Sequence, residues 1–115
     1  MFLGIDVGTQ SVRALVYDAL ERRVVDVKSA PLALTSRADG TREQRAEWWL
    51  TALSQCLAGF NKHVKTGIKA IAVSGQQHGF VPVAADGEIL APTKLWCDTA
   101  TVAECAQITE NFGGR

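Results

Sequence analysis

Two apolar, β-branched runs separated by only three residues open the chain, and this spacing limits the fold more than any other feature. The runs are residues 2–7 (FLGIDV) and 11–18 (SVRALVYD), with a glycine in the connection at 8–10. Such a pair predicts two antiparallel strands joined by a tight turn. A third run, at 24–34, loses its regularity around Pro31, which cannot donate to a ladder. The sequence therefore predicts a meander of three strands.

Helical periodicity follows the meander. Residues 35–42 are polar and predict a surface loop. Over 43–64 the spacing predicts a long amphipathic helix. Further predictions are a buried strand at 68–74, a small hairpin at 80–90 and a helix at 99–111. The apolar residues that we expect on one face of the long helix are Ala46, Trp49, Leu50, Leu53, Leu57, Phe60 and Val64.

The order of these elements predicts the fold class. A helix between the meander and the next strand forms a crossover that brings this strand parallel to the first one. We therefore expect an α/β fold with a mixed sheet and flanking helices. This arrangement resembles the ribonuclease-H-like fold that actin, hexokinases and Hsp70-type ATPases share.

Composition narrows the class of partner. Of the 115 residues, 47% are hydrophobic, and 12 basic side chains balance 12 acidic ones. This balance favours neither nucleic acid nor an anionic membrane, so we expect a small-molecule partner. The three cysteines form no C-x-x-C pair, and neither a disulfide framework nor a zinc site is indicated. A reducing cytoplasm fits best, and no stretch is long enough to span a bilayer.

The acid at Asp6 lies near the end of the first predicted strand. Ligands of open α/β sheets gather outside the carboxyl ends of the parallel strands. A turn built around Gly8 lets backbone N–H groups approach a phosphate, and the polar side chains of residues 9–11 can add donors. Asp6 could hold Mg²⁺ through water, and Arg13 could face the same phosphates. In the competing interpretation, Asp6 caps the turn, Gly8 supplies a positive φ and Arg13 is solvated.

A second polar group follows the strand at 68–74. The stretch SGQQHGF puts Gln77 and His78 between two glycines, and their donors and acceptors suit the hydroxyls of a sugar. Downstream, Trp96 could pack on a sugar ring while Asp98 accepts from its hydroxyls. The alternatives are a glycine-bounded loop whose histidine bonds to the backbone, and a tryptophan that is ordinary core.

Four stretches together resemble the FGGY family of carbohydrate kinases. They are GIDVGTQSVRALVYD, REQRAEWW, AIAVSGQQHG and ILAPTKLWCDTATVAEC, and they cover nearly the whole chain in order. The resemblance implies ATP-dependent phosphorylation of a sugar, with a ketopentose such as xylulose as the expected acceptor, in a cleft between two ribonuclease-H-like domains. A polymer-forming or chaperone ATPase, or a non-catalytic sugar-binding module, stays an alternative.

The resemblance also implies roles for individual residues. Asp6 would organise Mg²⁺ and the ATP phosphates. Gln77 and His78 would touch the sugar. Two sequence departures, Cys97 for a common asparagine and Ala100 for a common arginine, leave the exact sugar open. The remaining expected ligands are Gly8, Thr9, Gln10, Ser11 and Arg13 on the nucleotide side and Trp96 and Asp98 on the sugar side.

Length is the larger departure from the family, whose members are several times longer. We expect residues 1–115 to form the N-terminal part of the first domain and to be inactive alone. The general base, the adenosine pocket and the second domain would lie outside this chain. A homodimer is left open.

Overall fold

The computed structural model describes residues 1–113, which form seven strands and three helices. The strands are β1 (Phe2–Val7), β2 (Ser11–Asp18), β3 (Arg23–Pro31), β4 (Thr35–Ser36), β5 (Arg42–Gln44), β6 (Ala70–Gly75) and β7 (Thr93–Lys94). The helices are α1 (Ala46–Ala58), α2 (Lys62–Gly67) and α3 (Val102–Phe112).

A four-stranded mixed sheet carries the fold, in the order β3-β2-β1-β6. The three meander strands pair antiparallel, whereas β6 pairs parallel to β1. Asp6 is in register with Arg13 of β2 on one side and with Ser74 of β6 on the other. The predicted meander and the predicted parallel fourth strand are both confirmed.

One face of this sheet forms the core. Helix α1 packs over β2 and β3 on this face. Burial there alternates along β1 and β2, as the period of two requires. The opposite face is open, with Tyr17 36% and Val27 49% exposed. The buried core residues are Leu3, Ile5, Val12, Ala14, Val16, Ala30, Ala52, Cys56, Phe60 and Val64.

The prediction of one helix over 43–64 is wrong, because the chain forms two. Helix α1 ends at Ala58 with Gly59 as its C-cap, and Asn61 caps the start of α2 by accepting a hydrogen bond from the Val64 backbone N–H at 2.9 Å. This side-chain cap satisfies an amide that a continuous helix would bond to its own backbone. The expected apolar face is also rotated, since Leu50 is 63% exposed while Cys56 is buried.

The predicted surface loop at 35–42 contains paired strands at its two ends. Strands β4, β5 and β7 form a second, three-stranded sheet. Between β4 and β5 the chain turns at Gly40, whose φ of +94° is a conformation that glycine adopts without strain. The ladder partner of β5 is β7, far along the chain, so local sequence patterns do not reveal this sheet.

Two smaller features also differ from the expectation. Strand β3 ends at Pro31 and not at Leu34, because proline lacks the N–H that a ladder needs. The hairpin expected at 80–90 is reduced to a single bridge between Val83 and Ile89.

The prediction that the strand at 68–74 is buried is wrong, because every residue of β6 is exposed. Strand β6 and helix α3 expose most of their surface. Ile71 and Val73 of β6 are 62% and 68% exposed, and every residue of α3 is exposed. Within residues 1–113, no helix combines the length and the apolar character that crossing a membrane requires.

Thr93 provides a test of the small sheet. The residue is 0% exposed, and its hydroxyl has no hydrogen-bond partner among the described residues. A buried hydroxyl without a partner costs free energy that a methyl group does not. We expect Thr93→Val in the full-length protein to leave the free energy of unfolding unchanged or to raise it by up to about 1 kcal/mol in urea denaturation.

Thr9→Val is the control, because the Thr9 hydroxyl is bonded on both sides: it donates to Oε1 of Gln76 at 3.1 Å and accepts from the Trp96 indole at 3.4 Å. This variant should lose stability. A clear loss of stability in Thr93→Val would instead show that its hydroxyl has a partner.

Candidate functional site

The carboxyl ends of β1 and β6 lie side by side, and this brings the two predicted polar segments together. The backbone N–H of Gln76 donates to the Val7 carbonyl at 3.1 Å. This bond follows directly after the last ladder pair, Val7 with Gly75. Gly75 permits the approach, since a Cβ there would lie 3.2 Å from the Val7 oxygen. The turn after β1 and the segment after β6 therefore share one edge of the sheet, as parallel pairing requires.

The turn after β1 is closed by Gly8, whose amide donates to the Ser11 carbonyl at 3.1 Å. A Cβ on Gly8 would lie 3.3 Å from that oxygen and 3.9 Å from Oδ2 of Asp6. Gly8 is absent from the residues with a positive φ, so the interpretation that it supplies one is wrong. It is the missing side chain that lets the turn close tightly beside the Asp6 carboxylate.

Asp6 lies on the open face of the sheet, opposite Arg13 and next to Ser74. Both Asp6 and Arg13 are exposed, and the Asp6 carboxylate accepts no hydrogen bond from residues 1–113. The interpretation of Asp6 as a turn cap therefore finds no support in this geometry. With Gly4 and Leu15, these side chains line a hollow of about 490 Å³. An exposed carboxylate beside a tight glycine turn can hold a hard cation through water.

Thr9 connects the turn to the segment after β6. Its hydroxyl donates to Oε1 of Gln76 at 3.1 Å and accepts from the Trp96 indole N–H at 3.4 Å. Gln10 is exposed at the tip of the turn, and Ser11 is half-buried at the start of β2. Since the Thr9 proton is directed to Gln76, the donors that this turn offers to a ligand are its backbone amides and the neighbouring side chains.

Gln77 and His78 are exposed directly after this contact. His78 has a φ of +62°, a left-handed conformation that costs a residue with a side chain about 1 kcal/mol or more. Backbone outliers of this kind cluster at binding and catalytic sites. Trp96 is 63% exposed, so the interpretation that it is ordinary core is wrong, and its ring remains accessible to a ligand.

The carboxylate of Asp98 is already hydrogen-bonded to other groups of this protein. It accepts from the Arg42 amide at 2.7 Å and the Ala100 amide at 3.1 Å, and Nζ of Lys94 lies 3.4 Å away. Its side chain is 3% exposed. The Arg42 amide, followed by the Ala100 amide and Lys94, holds the pKa of Asp98 below its ordinary value against the opposing effect of burial. In this structure Asp98 ties the loop after β7 to β5, and its contact with a sugar stays a prediction.

Comparison with known proteins identifies the family. A family model described as the FGGY family of carbohydrate kinases, N-terminal domain, matches residues 1–115. The chain belongs to this family. It is 38% identical to a xylulose kinase of Haemophilus influenzae over 122 aligned positions, which cover the whole chain and 25% of that relative.

Solved FGGY structures agree with this fold. A xyloylose kinase from Brucella ovis superposes with a TM-score of 0.84 at 29% identity, over 96% of this chain and 24% of that one. A xylulose kinase from Rhodospirillum rubrum gives 0.82 at 26% identity, over 96% and 23%. The chain thus spans about a quarter of the length of these relatives. Its mixed sheet with flanking helices is the ribonuclease-H-like arrangement that the sequence predicts.

The sequence pattern does not single out Gln44 or Gln76, which join the two segments of this candidate site. Gln44 is 0% exposed and bonds to Thr9, Gln76 and Trp49. Gln76 lies in the polar stretch SGQQHGF and makes the contact that joins the two segments. Gln44 belongs to the stretch REQRAEWW that carries the resemblance, but a single glutamine before a helix gives no signal of burial.

The lowered pKa of Asp98 predicts a pH dependence of stability. A carboxyl whose pKa is lower in the folded state stabilises the protein above its ordinary pKa, near 4, and this stabilisation is lost as the pH falls through the folded pKa. We expect Asp98→Asn to be less stable than wild type near pH 7 and the difference to shrink below about pH 4. Urea denaturation of both full-length proteins across this range measures the difference, and a constant difference would contradict it.

Proposed function

We propose that this chain provides the nucleotide-turn and sugar-loop residues of an ATP-dependent sugar kinase that transfers the γ-phosphate of ATP to a hydroxyl of a ketopentose, with xylulose as the first candidate. One observation carries the proposal: the contact at 3.1 Å between Thr9 and Gln76 joins the two segments at one edge of the sheet. Phosphoryl transfer needs its two reactants held together and in line, and the protein contributes mainly positioning and charge neutralisation. Relatives named xylulose kinase support the choice of acceptor.

On the nucleotide side, we propose that the backbone of the turn at 8–11 receives the ATP phosphates. Gln10 and Ser11 add side-chain donors, and Arg13 adds a positive charge on the same face as Asp6. The exposed Asp6 carboxylate fits Mg²⁺ held through water, since this ion keeps much of its hydration. When bound, Mg²⁺ supplies neutralisation of charge on the phosphate oxygens.

On the sugar side, we propose that Gln77 and His78 bind hydroxyls and that the exposed ring of Trp96 packs against the sugar. All three side chains are exposed next to the Thr9 contact. Asp98 contributes by holding the loop that carries Trp96, because its carboxylate is bonded to two backbone amides.

We further propose that residues 1–115 form the N-terminal part of the first of two domains, and that the general base and the adenosine pocket lie in the remainder. The exposed apolar residues of β6 support this, since Ile71 and Val73 are the kind of surface that further elements of a domain cover. The length of the relatives, about four times that of this chain, agrees. The family match favours a kinase over a polymer-forming or chaperone ATPase.

Substitution of Asp6 tests the nucleotide side. In the full-length protein we expect Asp6→Asn to lower kcat for xylulose phosphorylation by roughly 100-fold or more, because the charge that organises the metal and phosphates is lost. A coupled assay of ADP release measures this. Asp86→Asn, at an exposed turn far along the chain, is the matched control and should keep wild-type kinetics. Near-normal activity of Asp6→Asn would refute the role of Asp6.

Substitution of His78 tests the sugar side. We expect His78→Ala to raise KM for the sugar or lower kcat by about tenfold, since hydrogen bonds to the sugar are lost. The KM for ATP in saturating sugar should change much less. His63→Ala, exposed in α2, provides the control. Unchanged kinetics in His78→Ala would remove it from the site, and ATP turnover that no ketose stimulates in the wild type would overturn the proposed function.

A further inference from the structure

Gln44, at the end of β5, is a fully buried polar side chain placed between the nucleotide and sugar segments. It is 0% exposed, which is unusual for glutamine unless its amide is bonded on all sides. Its position follows from β5, which pairs with β7 in the small sheet and directly precedes α1.

All four hydrogen-bonding positions of the Gln44 amide are used. Its Nε2 donates to the Thr9 carbonyl at 2.8 Å and to the Ala33 carbonyl at 2.7 Å. Its Oε1 accepts from the Trp49 indole at 2.9 Å and from Nε2 of Gln76 at 3.3 Å. Because a carbonyl can only accept and an indole N–H can only donate, the orientation of this amide is fixed by its partners.

The fixed orientation of the Gln44 amide also determines the orientation of the groups that it bonds to. Since Gln44 presents its oxygen to Gln76, the latter must present its nitrogen to Gln44 and its oxygen to Thr9. The Thr9 hydroxyl then donates to Gln76 and accepts from Trp96. Each donor and acceptor in this series of hydrogen bonds therefore has only one possible assignment. Gln44 contacts the nucleotide turn in two ways, directly through the Thr9 carbonyl and indirectly through Gln76.

We propose that Gln44 is a positioning residue that makes the nucleotide turn and the sugar loop one unit, so that occupation of one segment favours binding at the other. The proposal rests on the proposed function. A ligand that orders the turn at 8–11 would also order Gln76 and the adjoining sugar residues, which lowers the cost of binding the second ligand. Such coupling is reciprocal, so each ligand must tighten the other by the same factor.

The test measures this factor in the full-length protein. The dissociation constant of a non-hydrolysable ATP analogue is determined by calorimetry with and without saturating xylulose. In the wild type we expect xylulose to tighten the analogue by roughly fivefold or more. In Gln44→Met, which keeps the length of the side chain and removes its amide, the factor should fall to within about twofold of one. Gln55→Met, on the exposed side of α1, is the matched control and should keep the wild-type factor.

Two less buried variants keep the proposal testable if Gln44→Met does not fold. Gln76→Met and Thr9→Val break the same chain of bonds outside the core, and each should lower the factor. Where Gln44→Met folds, the double variant Gln44→Met/Gln76→Met should lose little more coupling than either single one, because both act on one network. A folded Gln44→Met that retains the wild-type factor, or a wild type without coupling, overturns the proposal. Failure of the kinase function is distinguished from these outcomes by the absence of xylulose phosphorylation in the wild type.

Discussion

The parallel pairing of β1 with β6 is the constraint on which the rest of this structure depends. Parallel neighbours end at the same edge of a sheet, and here that edge receives a glycine turn from one strand and a polar segment from the other. A further backbone hydrogen bond, from the N–H of Gln76 to the carbonyl of Val7, extends the pairing past the strand ends. A carboxylate, a tight turn and a histidine with left-handed backbone are thereby collected from segments far apart along the chain.

Polar side chains at this edge are stabilised in two different ways. Asp6 presents its carboxylate on an open face, where solvent and a ligand can reach it. Gln44 lies on the buried side and satisfies every donor and acceptor of its amide within the protein. Exposed charge suits a group that binds and releases ligands, whereas a saturated buried amide suits a group that holds geometry. Asp98 combines features of both residues, because it is a carboxylate like Asp6 but its oxygens accept hydrogen bonds from backbone amides.

Much of the fold could be predicted from residues alone, and the failures have physical causes. The three meander strands and β6 were predicted to within a few residues because apolar, β-branched runs bounded by turn residues are typical of strands. The break of the long helix was missed because Phe60 and Val64 keep the helical spacing across Gly59, although they belong to different elements. The small sheet was missed because β5 and β7 are short and non-local. For the candidate site, the sequence pattern singles out the turn at 8–11 and His78, which lie at the shared edge of the sheet and whose roles stay predictions, but it does not single out Gln44.

The sequence by itself determined the strand order of the four-stranded sheet, the glycine turn after the first strand and the family, because these depend on local spacing and on residue types that stand in a fixed order. Only the tertiary structure decided which polar groups are free and which are bonded. Asp6 and Asp98 are the same residue type, yet Asp6 is exposed whereas the Asp98 carboxylate accepts hydrogen bonds from the backbone amides of Arg42 and Ala100. The Arg42 amide comes from a segment 56 residues away, and a linear pattern does not specify which distant groups will lie within hydrogen-bonding distance.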